Sequence, residues 1–247
     1  MRIFRVGWLV LLSAGLTVST IAPLSAYTTG AVDTRPKHHW NWLSKDDQKR
    51  LLQSIPPAPA PGSPTDQADV AEVLKLQASR TPDEIAEAMF DKTFRLEIVA
   101  GHVLSPNFTQ QNFPVTFKLL LHVREDESLL NSTLKNNYKR PRPFVTHPEV
   151  HPLFTAEEFS YPSGHASGSR ILADILGELF PAKKAALLAR ADAVGHGRVI
   201  AGVHYPSDIQ AGQRLGQALS DALLANPAFQ TDLAAAKAEI AQKQNLL

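Results

Sequence analysis

Thr81-Pro82-Asp83-Glu84-Ile85-Ala86-Glu87-Ala88-Met89-Phe90-Asp91-Lys92-Thr93-Phe94-Arg95-Leu96-Glu97-Ile98-Val99 carries the pattern that decides the fold. A threonine, a proline at the first helical position and a carboxylate at the third form a capping-box start. Ile85, Met89, Phe90, Phe94 and Ile98 then recur at three- and four-residue spacing, which predicts a helix running to about Val99. The same period continues on both sides. Upstream, residues 66–79 place Val70, Val73, Leu74 and Leu76 at helical spacing. Downstream, residues 114–136 carry Phe117, Leu120, Leu121, Leu129 and Leu130, and further helices are predicted over Gly164–Leu179, 182–203 and Pro206–Leu224. A final helix opens at Asn226-Pro227, a cap followed by a proline, and continues to about residue 244. Strand-like alternation is scarce and no repeat is present. The expected fold is all-α, a single-domain helical bundle.

The start of the chain has a different character. Arg2 and Arg5 precede an apolar run from Val6 to about Val18, followed by Ala22, Pro23, Leu24, Ser25 and Ala26. A basic start, a short apolar stretch and small residues at a cleavage site read as a secretory leader over residues 1–26, cut after Ala26. The apolar run is shorter than the ~20 residues of a spanning helix. Residues 27–64 are rich in proline, with Pro56, Pro57, Pro59, Pro61 and Pro64 close together, and read as an extended arm holding one short helix over residues 44–52. Residues 65–247 form the helical domain. The expected location is periplasmic or secreted.

Composition narrows the function classes. The chain has 25 basic and 24 acidic residues, and loss of Arg2 and Arg5 with the leader leaves 23 against 24, a net charge of about −1. That balance implies no nucleic acid polymer as partner, and no membrane is expected once the leader is cleaved. Without cysteine there is no disulfide, thiol nucleophile or thiolate metal site. Stability must come from the core, which about 220 residues can supply.

Three clusters combine phosphate-binding and proton-transferring side chains at helix ends. In the first, Lys135-Asn-Asn-Tyr-Lys139-Arg140-Pro141-Arg142-Pro143, positive charge concentrates, and Pro141 and Pro143 limit the freedom of Arg142. The second, Tyr161-Pro162-Ser163-Gly164-His165, sets a serine and a glycine before an amphipathic helix, whose unpaired first-turn N–H groups can hold an anion. Alone it reads equally as an N-cap serine beside a bystander histidine. The third contains Arg198, His204 and Asp208. Histidine and aspartate four apart lie one helical turn from each other, so the carboxylate can fix one imidazole nitrogen and leave the other as nucleophile or base. Alone, that pair also reads as a polar contact at a helix start.

Together and in order, the clusters resemble the type 2 phosphatidic acid phosphatase superfamily, whose signature reads K-x6-R-P, P-S-G-H and S-R-x5-H-x3-D. Lys135, Arg142-Pro143, Pro162-Ser163-Gly164-His165, Arg198, His204 and Asp208 match it. The exported leader, the Pro-rich arm and the closing Asn-Pro-Ala-Phe-Gln helix make the class A bacterial non-specific acid phosphatases the most similar group, over about residues 52–243. One position departs: Gly197 stands where the signature has serine, which puts a supporting hydrogen bond near the phosphate in question and predicts retuned activity at most.

The resemblance implies an acid phosphatase acting on small phosphate monoesters, in a bundle with a central phosphate pocket and a homo-oligomeric assembly. It assigns His204 as the nucleophile that forms a phosphohistidine, His165 as the acid for the leaving alcohol and Asp208 as the carboxylate behind His204. Lys135, Arg142, Ser163, Gly164 and Arg198 would bind the phosphoryl oxygens. Neither cofactor nor metal is implied. The spacing of His38, His39, His147 and His151 matches no zinc motif. Residues 105–114 and 147–160 are expected to shape the pocket entrance, Glu157 and Glu158 to be surface charges, His196 a helix-end polar residue, and Trp40 and Trp42 packing residues of the arm. Two alternatives stay open: a vanadium-dependent haloperoxidase, in which the same pocket holds vanadate, and a phosphate-binding protein without turnover.

Overall fold

The computed structural model describes residues 40–157 and 159–247. The expected leader, the first part of the arm with His38 and His39, and Glu158 lie outside the described residues. Ten α-helices follow one another and no strand occurs among the described residues. They are α1 (Lys45–Ser54), α2 (Pro64–Ser79), α3 (Pro82–Phe90), α4 (Glu97–Ala100), α5 (Pro114–Tyr138), α6 (Pro143–Thr146), α7 (Gly164–Leu179), α8 (Lys184–Ile200), α9 (Pro206–Leu224) and α10 (Pro227–Gln242).

The centre of the bundle is α7. Ile171, Leu172, Ala173, Ile175 and Leu176 are all buried, so the helix is apolar nearly all round and has to be enclosed. α8 and α9 pack along it most extensively, and α5 covers another side. The approach of α9 depends on two glycines one turn apart. A Cβ on Gly212 would stand 2.5 Å from the Ser163 carbonyl oxygen, and one on Gly216 would stand 2.6 Å from that of Ser167. Backbone cannot yield there, so only glycine lets α9 lie against the first turns of α7. The Ser163 N–H donates to the Asp208 carbonyl at 3.0 Å. The starts of α7 and α9, which carry His165 and Asp208, are thereby held together.

The described part of the Pro-rich arm packs into the same core. Ser44 and Asp47 close a capping box on α1, whose Leu51 joins Leu43 and Ile55 in the main apolar cluster. Trp42 meets Phe229 edge-on at 5.0 Å between ring centres and donates its Nε1–H to Asp232 at 2.9 Å. The hydroxyls of Tyr138 and Tyr161 donate to the Ile55 and Pro56 carbonyls at 3.0 and 2.8 Å, which fixes the start of the proline run.

One predicted element is broken in two. The capping box at Thr81 and Glu84 is present, but α3 stops at Phe90 instead of reaching Val99. The cause is Asp91. Its carboxylate is buried and paired with Arg190 at 2.5 Å, and a buried charge needs its partner more than the helix needs another turn. Arg190 Nε also donates to the Ile98 carbonyl at 2.8 Å, so one guanidinium ties down both ends of residues 91–98. Met89 and Phe90, expected on the apolar face, are exposed, while Ile98 and Val99 reach the core through the single turn α4. At the other end of α8 the helix stops at Ile200 instead of residue 203. There Gly202 adopts φ +71°, and a Cβ would press on Pro152 at 3.2 Å. This reversal turns the chain so that His204 points inward.

Candidate active site

A pocket of about 490 Å³ opens beside the first turn of α7. Six of the eight residues singled out from the sequence line it: Lys135, Arg142, Gly164, His165, Arg198 and His204 converge there, with Ser163 and Asp208 one layer behind.

His204 is buried, and Asp208, one turn into α9, is fully enclosed. Asp208 Oδ2 stands 3.3 Å from His204 Nδ1 and accepts the Tyr205 N–H at 2.9 Å. On the pocket side, Arg142 Nη1 lies 3.2 Å from His204 Nε2 and donates to the Val203 carbonyl at 2.7 Å. A guanidinium can only donate, so Nε2 is the acceptor and the imidazole proton sits on Nδ1, towards Asp208. The lone pair of Nε2 thus faces the pocket. Burial, then the charges of Arg142, Lys135 and Arg198, hold His204 well below the usual histidine range.

His165 sits on the first turn of α7. It hydrogen-bonds the backbone of Asp91, and its ring meets Phe94 edge-on at 5.4 Å. Its Nε2 is buried without a hydrogen-bond partner. Burial, then Arg198, His204 and Arg124, push its ionisation well below the usual range. Both imidazoles are therefore neutral at neutral pH before an anion binds.

The cations have separate supports. Lys135 donates to the Phe159 carbonyl. Arg198 donates to the Asp91 carbonyl at 3.3 Å, lies 4.8 Å from the Phe154 ring centre and has a buried Nε with no partner. Burial, then Arg142, lowers its ionisation to about 10, so it keeps its charge at neutral pH. Ser163 does not line the pocket: its hydroxyl caps α7, accepting the Ala166 N–H at 3.4 Å.

Several lining residues escaped the sequence reading. Arg124, Glu127, Ser128, Asn131 and Ser132 all come from the face of α5 that carries Lys135. The three- and four-residue spacing back from Lys135 was the available signal. Glu127 is buried, paired with Arg124 and accepting from the Ser167 hydroxyl. Phe94 lies under the Arg124 guanidinium at 4.0 Å. Its place depends on the broken helix after Phe90, which periodicity did not reveal. Asp91 and Arg190, which support His165 and its loop, had no sequence signal because they meet only in three dimensions.

The entrance is also partly redrawn. Phe154, Thr155, Ala156 and Glu157 line the pocket, so residues 147–160 contribute as expected and Glu157, though exposed, is more than a surface charge. Residues 105–114 do not line it: Phe108 and Phe113 pack in the core and Ser105 donates to the Leu246 carbonyl at 3.2 Å. His196 is exposed and outside the lining. Gly197 is outside it too. A Cβ there would stand 3.8 Å from Ala88 Cα, in ordinary contact with α3, so the missing serine is not a missing phosphate ligand. Gly197→Ser is expected to leave kcat and KM within about twofold and to raise helix stability by a few tenths of a kcal/mol. Steady-state kinetics and a melting curve check this; a tenfold change in KM would put the side chain in the pocket.

Two neutral imidazoles and three buried cations lining one cavity suit an oxyanion such as phosphate. The chain matches the PAP2 superfamily over residues 126–229 and belongs to it. It is 30% identical over 228 residues to the non-specific acid phosphatase of Salmonella typhi, covering 89% of each chain. It is also 30% identical over 248 residues to the non-specific acid phosphatase of Providencia stuartii, covering 95% of this chain and 97% of that one. Its fold is similar to that of a bacterial vanadium-dependent iodoperoxidase, with a TM-score of 0.53, 17% identity, and coverage of 74% of this chain and 52% of that one.

 

Among the described residues no helix is long and apolar enough to cross a membrane.

Proposed function

We propose that the chain is an acid phosphatase that hydrolyses small phosphate monoesters through a phosphohistidine on His204. The observation that carries this reading is the single lone pair of His204 Nε2, aimed into a cationic pocket with Asp208 behind it and His165 in the same cavity. The names of the Salmonella typhi and Providencia stuartii relatives support it.

In the first step His204 Nε2 attacks phosphorus, the bond to the leaving oxygen breaks, and protonated His165 gives its proton to that oxygen. Asp208 stabilises the positive imidazole that forms, as the acidic member of a Ser-His-Asp triad does. In the second step water attacks the phosphoryl group, neutral His165 takes the water proton, and the N–P bond breaks to release inorganic phosphate. Lys135, Arg142, Arg198 and the Gly164 N–H stabilise the equatorial oxygens in both steps. Ser163 contributes by capping α7 and so fixing that N–H. Three cationic side chains supply the charge stabilisation, which supports turnover without a metal. The basic and apolar start of the chain supports export.

The electrostatics set the pH dependence. Because His165 is neutral before substrate binds, its catalytic proton has to arrive with the substrate, either carried by a phosphate monoanion or drawn in by the dianion's charge. Both routes fade as pH rises past the second phosphate ionisation, near pH ~6. His204, with its ionisation held low, stays neutral and nucleophilic well into acid. The expected kcat/KM for p-nitrophenyl phosphate is highest on the acid side of neutral and falls towards pH 8, unchanged by excess EDTA. A rate still rising above pH 8, or one abolished by EDTA and restored by a divalent metal, contradicts the reading. Phosphate binding without any turnover would favour the binding-protein alternative. Peroxide-dependent halide oxidation with added vanadate would favour the haloperoxidase.

A further inference from the structure

The basic run at the end of α5 divides in two. Lys135 and Arg142 reach the pocket, whereas Arg140 is not in its lining and turns to the far side of Asp208. Its side chain is buried. Nη1 donates to Asp208 Oδ1 at 2.8 Å and to the Ser207 hydroxyl at 2.7 Å. Nη2 donates to Asp66 Oδ1 and to Asp69 Oδ2, each at 2.9 Å. The Tyr205 ring centre lies 3.9 Å from the guanidinium carbon. Asp69 in turn accepts the Ser207 N–H at 3.0 Å, so α2 grips both Arg140 and the start of α9.

We infer that Arg140 is a positioning residue for His204: it holds Asp208 by Oδ1 while Oδ2 orients the imidazole, and Asp66 and Asp69 anchor it from α2. The inference rests on the reading of His204 as nucleophile. Asp208 is fully enclosed, so an Oδ1 without a strong donor would be a desolvated charge, and the carboxylate would turn away from Nδ1 to find one. A planar fork with several donors suits the task because it can hold Asp208 and the α2 carboxylates at once. The charge balance matters as well. One guanidinium facing only Asp208 would cancel the charge that stabilises the developing imidazolium. Shared among three carboxylates, it leaves the region behind His204 net negative.

The test is a double-mutant cycle on kcat for p-nitrophenyl phosphate, with Arg140→Met, Asp208→Asn and the double variant, and melting curves for each. Arg140→Lys runs in parallel, keeping the charge but losing the fork, so that the cycle closes even where Arg140→Met does not fold. Arg140→Met is expected to lower kcat about 10- to 100-fold, by analogy with the residues that hold metal-ligating histidines in place. KM should move little, Arg140→Lys should recover part of the loss, and the Arg140 effect should largely vanish in the Asp208→Asn background. Additive losses, a loss confined to KM, or an unchanged kcat with Arg140→Met would overturn the inference. If Asp208→Asn itself leaves kcat intact, the proposed role of the His204–Asp208 pair fails, which is a different result from a failure at Arg140 alone.

Discussion

His204→Ala is expected to lower kcat on p-nitrophenyl phosphate by ~10⁴-fold or more while the protein stays folded. The first half follows from chemistry: without Nε2 nothing else in the pocket presents a neutral nitrogen lone pair held by a carboxylate on its other side. The second half follows from the contacts of Asp208. It keeps the Tyr205 N–H and the Arg140 fork when the imidazole is gone, so the carboxylate is not orphaned and α9 keeps its start. Steady-state kinetics alongside thermal melting checks both. The pocket cations remain, so inorganic phosphate should still raise the melting temperature of the variant. A variant retaining a tenth of the parent activity would place the nucleophile elsewhere.

His165→Ala is expected to produce a loss that depends on the leaving group. p-Nitrophenolate leaves readily without a proton, whereas an alkoxide does not, so the first step should lose ~10²-fold or less with p-nitrophenyl phosphate and about 10⁴-fold with an alkyl phosphate. The second step lacks its base with either substrate. With p-nitrophenyl phosphate the variant should therefore release a burst of p-nitrophenol approaching one equivalent per chain, followed by a slow steady rate. Rapid mixing with absorbance detection measures it. Equal losses for both esters and no burst would remove His165 from proton transfer.

The helical class was legible because most helices carry both a start signal and a period. Ser44, Ser63, Thr81, Ser163 and Asn226 all cap helices with their side chains. The failure at α3 is instructive. Residues 85–98 keep helical spacing, yet a single buried ion pair between Asp91 and Arg190 ends the helix early. Spacing records which residues are apolar and not which acid will be drawn into the core by a partner 99 residues away. The pocket was legible to the extent that its residues lie in short runs beside helix ends. What stayed hidden was support: Arg140 stood out only as part of a basic run and nothing marked Asp66 and Asp69, because Arg140 joins them to Asp208 across distant parts of the chain. Ser163 and Gly197 show the converse. Motif membership suggested contact with phosphate, whereas the one caps a helix and the other faces α3.

The central claim is the covalent intermediate, and its most direct test is rapid alkaline quenching of the enzyme during turnover of a phosphate monoester labelled at phosphorus, followed by peptide mapping. The account predicts an acid-labile, base-stable label on the peptide containing His204, absent from His204→Ala. Full turnover with no labelled peptide, or with the label on another residue, would contradict it.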